Sequence, residues 1–452
     1  MKPELLEGGI MPAEDVYSLS PLKATRDAAF SARLPGSKSF TNRALLLAAQ
    51  RADTTEVTNA LHAEDTELLA KCLDGFKGLT AEKTADGFRL SRRAGRLGAP
   101  DHELFIGGAG TPARFLLSFA AEADGATVVT GIPRLCERPM GHILEALERV
   151  GIATECLQTP GCVPARIHGG EPVGTEWEID GSVSSQFVSS LMLLAGRRPA
   201  GSAPITVRVP GHLVSRPYVE MTAQIMNQVG IPVEEAGPAA WRITPAEPKP
   251  SRIEIEPDAS AMSYVLGAAA ITGSKVSVPG IGSGSKQGDV GFARIMEAMG
   301  CRLTMDAERI EIEGPKDGLR GVDVDMELMP DVVLTLAVVA AFAKGPTRIT
   351  NIANLRVKEC DRIDAAATEL GRMGVKAIQH DDSLEIHPGD PIKPARIETY
   401  NDHRVAMSFA LAGLLRPGIE IADPGCVAKS FPNFWEEYER FRAHHSAEAE
   451  HV

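Results

Sequence analysis

Cations, hydroxyls and carboxylates gather in this chain at short turns that lead into apolar runs, the setting in which helix N-termini offer unpaired N–H groups to anions. In LPGSKSFTNR, residues 34–43, Ser37 or Ser39 can cap a helix while Lys38 and Arg43 place positive charge at its first turn. IGGAGTPAR, residues 106–114, sets three glycines, Gly110 the last, where backbone can approach a ligand closely; a tight turn would use the same residues. PRLCERP puts Arg134 and Arg138 just before a helix. DGSVSSQF brings Ser184, Ser185 and Gln186 to the start of an apolar run, a set suited to a phosphate or a polyol. VSRPYVE adds Ser215, Arg216 and Tyr218. In NLRVKECDR, Lys358 and Arg362 are four apart and would share a helix face, with Glu359 three before Arg362. YNDHR supplies Asp402, His403 and Arg404, with His403 read as a structural hydrogen-bonder, and ADPGCVAKSFP supplies Lys429. MPDVV places Asp331 at the head of the most hydrophobic run, where helix capping is explanation enough. Each set alone has an ordinary structural explanation; together they form a rare combination.

What must position these residues is a repeat. One series of polar starts falls near Lys38, Thr111, Ser184, Asp258, Asp331 and Asp402, at steps of 71 to 74 residues. A second falls near Asp65, Arg138, Ser215, Gln287, Lys358 and Lys429, at steps of 71 to 77. A fixed period means one supersecondary unit used repeatedly. The first series opens runs such as FVSSLMLLAG and VVLTLAVVAAFAKG, apolar all round and therefore buried. The second opens amphipathic runs such as MGHILEALERVG, four of which end at Gly151, Gly230, Gly300 and Gly374, where glycine accepts a left-handed C′ position. Short β-rich runs, ATVVTG, APITVRVPG, SKVSVPG and TRITNI, lie between. Each unit reads as βαβαββ, and six units could close one ring or divide into two groups of three. A chain of 452 residues favours the division. The first ~30 residues and the tail AHHSAEAEHV read as poorly tied down.

A net charge of −13 argues against nucleic-acid or membrane-surface partners but leaves room for small anions at a local basic cluster. The N-terminus has no signal-peptide pattern, and the longest apolar stretch, residues 332–343, is too short to span a bilayer. Seven cysteines without C-x-x-C spacing fit reduced thiols in a cytoplasmic α/β protein.

LPGSKSFTNRALLLAA, DGSVSSQF, NLRVKECDR, YNDHRVAM and DPGCVAKSFP, in order and across about residues 20 to 440, resemble the 5-enolpyruvylshikimate-3-phosphate synthase family. The resemblance implies a two-domain inside-out α/β barrel of six βαβαββ units. One domain would combine 1–36 with 257–452, the other would be 37–256, with a hinge near 36 and 257. It implies transfer of the enolpyruvyl group of phosphoenolpyruvate to the 5-hydroxyl of shikimate 3-phosphate, through a tetrahedral intermediate that expels phosphate. By motif, Lys38, Ser39, Arg43, Ser184, Ser185, Gln186, Ser215, Tyr218, Asp331, Asn354 and Lys358 would hold shikimate 3-phosphate. Lys38, Gly110, Arg138, Gln186, Arg362, Arg404 and Lys429 would hold phosphoenolpyruvate. The chemistry needs a base and an acid: Asp331 and Glu359 are the expected pair, with Lys38 and Lys429 stabilising charge or relaying protons. No cofactor or metal is implied, the partners are small anionic substrates, and a monomer is expected.

The chain departs from the family pattern at Gly108, where the family has asparagine, at Pro112 and Phe115, and at Leu355 in place of a tryptophan. Three alternatives stand beside the main reading: a UDP-N-acetylglucosamine enolpyruvyl transferase, faintly echoed by Cys162, a paralogue with another ring acid, and a non-catalytic binding relative.

Overall fold

Six apolar helices form the inside of the molecule: Lys38–Ala48, Gly110–Ala120, Ser185–Gly196, Ala259–Thr272, Val333–Ala340 and His403–Ala410. Nearly every residue of each is buried, as an all-round apolar helix requires. Our computed structural model describes residues 15–23, 28–389 and 391–446. Two hydrophobic cores result. One gathers residues between 40 and 255, the other residues 19–32 with residues 259–441. The inner helices meet through hydroxyls at equivalent points of the repeat: Ser118 with Ser190 at 2.7 Å, and Ser263 with Thr335 at 3.0 Å. Buried hydroxyls paired in this way avoid the cost of an unsatisfied polar group.

Outside the helices, among the described residues, lie six small sheets of one design. In each, a parallel pair is extended by an antiparallel strand, as in Glu176–Glu178 beside Ile205–Arg208, then Ala240–Ile243 and Val233–Gly237. The sheets close on themselves across long sequence distances. Arg252–Glu254 runs parallel to part of Asp53–Thr58, with Ile253 opposite Val57. Phe30–Ser31 pairs with Lys275–Pro279, Phe30 opposite Val276, and Val16–Ser18 lies antiparallel to Ile419–Ala422. The N-terminal segment is therefore better anchored than expected: both of its described strands complete sheets built from the far end of the chain. At the other end, the helix Phe434–Ser446 takes in the first residues of the expected loose tail, with His444 5.6 Å from the Phe30 ring. Residues 1–14 and 447–452 lie outside the described part.

The chain crosses between the two cores twice, side by side. Ser37 N donates to Glu256 O at 2.8 Å, and Asp258 N to Pro35 O at 2.9 Å. Gly36 is required there by close approach, since a Cβ on it would lie 1.9 Å from Asn59 O. The predicted helix ends hold: Gly151, Gly230, Gly300 and Gly374 all have φ between 78° and 111°. Asp65 lies in the first turn of its helix, Glu64–Asp74, but later second-series helices begin after their polar starts. Arg138 precedes Gly141–Arg149, Lys358 precedes Arg362–Arg372, and Lys429 precedes Phe434–Ser446. These cations stand on turns, outside the helices. Lys358 and Arg362 thus do not share a helix face, because Lys358 is extended, with ψ −153°. Among the described residues, no helix is long and apolar enough to cross a membrane.

Candidate active site

The turns ahead of the helices converge between the two cores on a cavity lined by Lys38, Ser39, Arg138, Ser184, Gln186, Tyr218, Asp331, Lys358, Glu359, Arg362 and Arg404, among others. Its free space is about 60 Å³. Three helix starts point into it. Ser37 caps Lys38–Ala48, Ser184 caps Ser185–Gly196, and Asp402 caps His403–Ala410, each side chain accepting from a first-turn N–H.

Arg362 is the centre of the arrangement. Its side chain is 2 % exposed and its guanidinium reaches three carboxylates. Nε donates to Asp402 Oδ2 at 2.8 Å, Nη2 to Glu359 Oε2 at 2.9 Å, and Nη1 to Asp331 Oδ1 at 3.2 Å. Asp331 accepts in addition from Arg404 Nη2 at 2.7 Å and from the Tyr218 hydroxyl at 3.2 Å. The expected capping role is therefore wrong for Asp331. It sits in a separate turn, Pro330–Val332, ahead of the helix Val333–Ala340, and makes no cap hydrogen bond. Glu359 Oε1 lies 3.7 Å from Lys429 Nζ, and Lys38 Nζ lies 3.4 Å from Asp65 Oδ2.

The protonation states follow from this packing. Burial alone would raise both catalytic candidates. For Asp331 the positive charges of Arg404, Lys358, Arg362 and Lys38 outweigh it, and the carboxyl is held well below the usual range. For Glu359 the opposing charges are Arg362, Lys429 and Arg138, and the result is the same. Lys358 is pushed down to about 8, by burial first and by Arg362 and Arg138 against the pull of Asp331 and Glu359. Lys429 moves the other way, because Glu359, Asp65 and Asp402 overcome its burial. His403 is driven well below its ordinary value by burial and by Lys38 and Arg404, so it is neutral. It is no hydrogen-bonder either: both ring nitrogens are buried with no partner.

Of the residues predicted from sequence, the cavity brings together Lys38, Ser39, Gly110, Arg138, Ser184, Ser185, Gln186, Ser215, Tyr218, Asp331, Asn354, Lys358, Glu359, Arg362 and Arg404. Lys429 joins through Glu359. Arg43 stands behind this wall. Nε donates to Thr222 Oγ1 at 2.7 Å, Nη1 to Ser39 O at 2.8 Å, and Nη2 to Ser189 Oγ and Tyr218 O at 3.1 and 2.8 Å. Four of the five guanidinium N–H groups are thus engaged within the protein. Asn354 Nδ2 reaches Ser215 Oγ at 3.4 Å, while its Oδ1 is buried without a partner. A methyl group on Gly110 would fall 2.5 Å from Arg138 Nη1, so glycine is what lets that guanidinium lie over the helix start. A Cβ at Gly108 would lie 3.7 Å from Lys429 Nζ, so the departure from the family pattern adjoins that amine.

Asp65 and Thr111 were read from sequence only as helix starts of the repeat, and Arg114 only within a motif; none was expected in the site. The first two line the cavity, and Arg114 Nη1 donates to Gln186 Oε1 at 2.5 Å with its guanidinium over the Phe187 ring. Arg114 lay within a quoted motif, one helical turn beyond Gly110, and that spacing was the available signal. Cys162 is not among the cavity residues, and burial raises its thiol. A larger cavity, about 850 Å³, lies beside the crossover at residues 33–36; of its three lining Lys and Arg residues, Lys83 and Arg440 are tied to Glu67 and Glu437, with Arg33 the third.

Fold and site together define the class. The chain has the fold of the enolpyruvyl transferases: NikO from Streptomyces tendae superposes with a TM-score of 0.72 at 17% identity, covering 94% of this chain and 97% of that one. The protein belongs to the EPSP synthase (3-phosphoshikimate 1-carboxyvinyltransferase) family, whose model matches residues 26–438. It is similar to the 3-phosphoshikimate 1-carboxyvinyltransferase of Nostoc sp., 39% identical over 93% of this chain and 98% of that protein. The enzyme of the same name from Tolumonas auensis is 41% identical over 90% and 95%. EPSP synthase from Acinetobacter baumannii superposes with a TM-score of 0.78 at 27% identity, covering 95% and 98%.

Proposed function

We propose that this enzyme transfers the enolpyruvyl group of phosphoenolpyruvate to the 5-hydroxyl of shikimate 3-phosphate and releases phosphate. The observation that carries the reading is the pairing of two ionised carboxylates, Asp331 and Glu359, on either side of Arg362, within a wall of Lys38, Arg138, Lys358, Arg404 and Lys429. Two multiply anionic substrates need that concentration of cations and helix starts to meet. A binding-only relative has no use for the acid–base pair.

In this reading Ser39, Ser184, Ser185, Gln186, Ser215, Tyr218, Asn354 and Lys358 hold the acceptor, with Arg43 offering its one remaining N–H. Arg138, Arg362, Arg404, Lys38 and Lys429 hold the donor beside Gly110. Asp331, ionised in the empty site, takes the proton of the 5-hydroxyl as that oxygen bonds to the donor's C2. The methylene carbon gains a proton from the Glu359–Lys429 pair. That proton sits on Lys429, because Glu359 is held ionised. The tetrahedral adduct then loses a methyl proton to the same pair, and its C2–O bond to phosphate breaks. Roles are thus reversed between the two halves of the reaction, and none of these steps calls for a metal or cofactor.

The lobes 1–36 with 257–452 and 37–256 would hinge near 36 and 257, since the cavity is lined from both cores and closure on substrates would exclude water. We read the enzyme as a cytoplasmic monomer. Turnover in deuterium oxide tests the mechanism. Addition and elimination pass through a methyl group, so product carries deuterium in its methylene. Product formed without deuterium would contradict the route through a tetrahedral adduct. No observation favours the cysteine-bearing alternative.

A further inference from the structure

Behind Asp331 lies a second buried carboxylate that the steps above do not use. Asp289, in the short turn Gly288–Gly291, is 4 % exposed. Its Oδ2 accepts a hydrogen bond from the Ser260 hydroxyl, and its Oδ1 is buried with no partner. A half-satisfied buried carboxylate is destabilising by itself, so the fold retains it against a cost. The groups facing it are Asp331 and Arg404, with Asp258 at the head of the next helix and Tyr218 from the other core. Burial first, and then Asp331, push Asp289 up to about 7.

Ser260 looks two ways. Its oxygen gives its one proton to Asp289 and accepts from Arg404 Nη2 at 3.4 Å. The same Nη2 donates to Asp331 Oδ2 at 2.7 Å. A hydroxyl has a single proton and rotates to suit its surroundings. With that proton fixed on Asp289, the lone pairs of Ser260 are turned to the guanidinium. Asp289 Oδ2 accepts in either protonation state, because the partnerless Oδ1 is the oxygen left to carry a proton.

We propose that Asp289 is a positioning residue for the donor site: acting through Ser260, it sets the orientation of Arg404 between phosphoenolpyruvate and Asp331. This rests on the functional reading above. The test is steady-state kinetics on wild type, Ser260→Ala, Asp289→Ala, Asp289→Asn and the Ser260→Ala/Asp289→Ala double variant, with shikimate 3-phosphate affinity measured by calorimetry. Each alanine variant is expected to raise the KM for phosphoenolpyruvate about tenfold, the scale of one charge-assisted hydrogen bond. Acceptor affinity should stay at the wild-type level. The double variant should be no worse than the poorer single, because both act on one chain of contacts. Asp289→Asn, which keeps an acceptor for Ser260, should recover most of the loss. An unchanged KM in folded Ser260→Ala, or fully additive losses in the double variant, overturns the proposal, and Ser260→Ala decides it alone if Asp289→Ala does not fold. Wild type without turnover overturns the functional reading itself, whereas wild-type turnover with an unmoved KM in Ser260→Ala overturns only this inference.

Discussion

Glu359 accepts a hydrogen bond from Arg362 Nη2 at 2.9 Å and lies 3.7 Å from Lys429 Nζ, its proposed proton partner. Replacing it with glutamine keeps the shape and removes the exchangeable charge. Turnover of Glu359→Gln should fall by about 10² or more while shikimate 3-phosphate still binds, as expected for loss of one general acid–base group. Wild-type turnover would take Glu359 out of proton transfer. Lys358 gives a pH prediction of definite sign. Its ammonium is the form that binds phosphate, and burial brings its pKa to about 8. Shikimate 3-phosphate affinity should therefore be level from about pH 7, above the second ionisation of the substrate's phosphate near 6, up to about 8, and weaken towards tenfold per pH unit beyond it. Calorimetry across the range checks this, and Lys358→Met should be weak but flat. A wild-type affinity that stays level into alkaline solution would remove Lys358 from the phosphate site.

At the scale of the element, each site residue owes its position to a turn between a strand and a buried helix. Asp402 shows how strongly the two are joined. It caps His403–Ala410 through Arg404 N at 2.9 Å, and it is the fully buried partner of Arg362. Asp402→Ala removes the most deeply buried of that guanidinium's three carboxylates together with the helix cap, so about 3–5 kcal/mol of stability should be lost in denaturant unfolding. A variant as stable as wild type would show that the pair is dispensable. Much of this scale was legible in sequence, since apolar runs at steps of 71 to 74 residues, glycine helix ends and capping serines are local signals. Misread were residues whose partners are remote. Asp331 resembles a cap until Arg404, 73 positions on, is placed beside it, and Arg43 resembles a free cation until Thr222 and Ser189 consume its donors. Asp65 showed only as a helix start and Arg114 only within a motif, because the contacts that bring them to the site, with Lys38 and Gln186, cross the fold.

At the scale of the whole molecule, the function depends on two cores meeting at one cavity and being joined by two adjacent crossings. Gly36 lies in the first crossing with no room for a side chain. Gly36→Ala should push it off Asn59, lowering turnover and thermal stability together, which melting and kinetics on the same sample would show; a variant unchanged in both would mean that the crossing tolerates the shift. The two-core division was legible from chain length and repeat count, but which cations face the gap was not, because facing requires both cores at once. The central claim is that this gap is a transfer site for one donor and one acceptor. The most direct measurement is phosphate release from phosphoenolpyruvate with shikimate 3-phosphate, with UDP-N-acetylglucosamine, and with no acceptor. Release only with shikimate 3-phosphate is the predicted result, and folded protein that releases none with it would contradict the account.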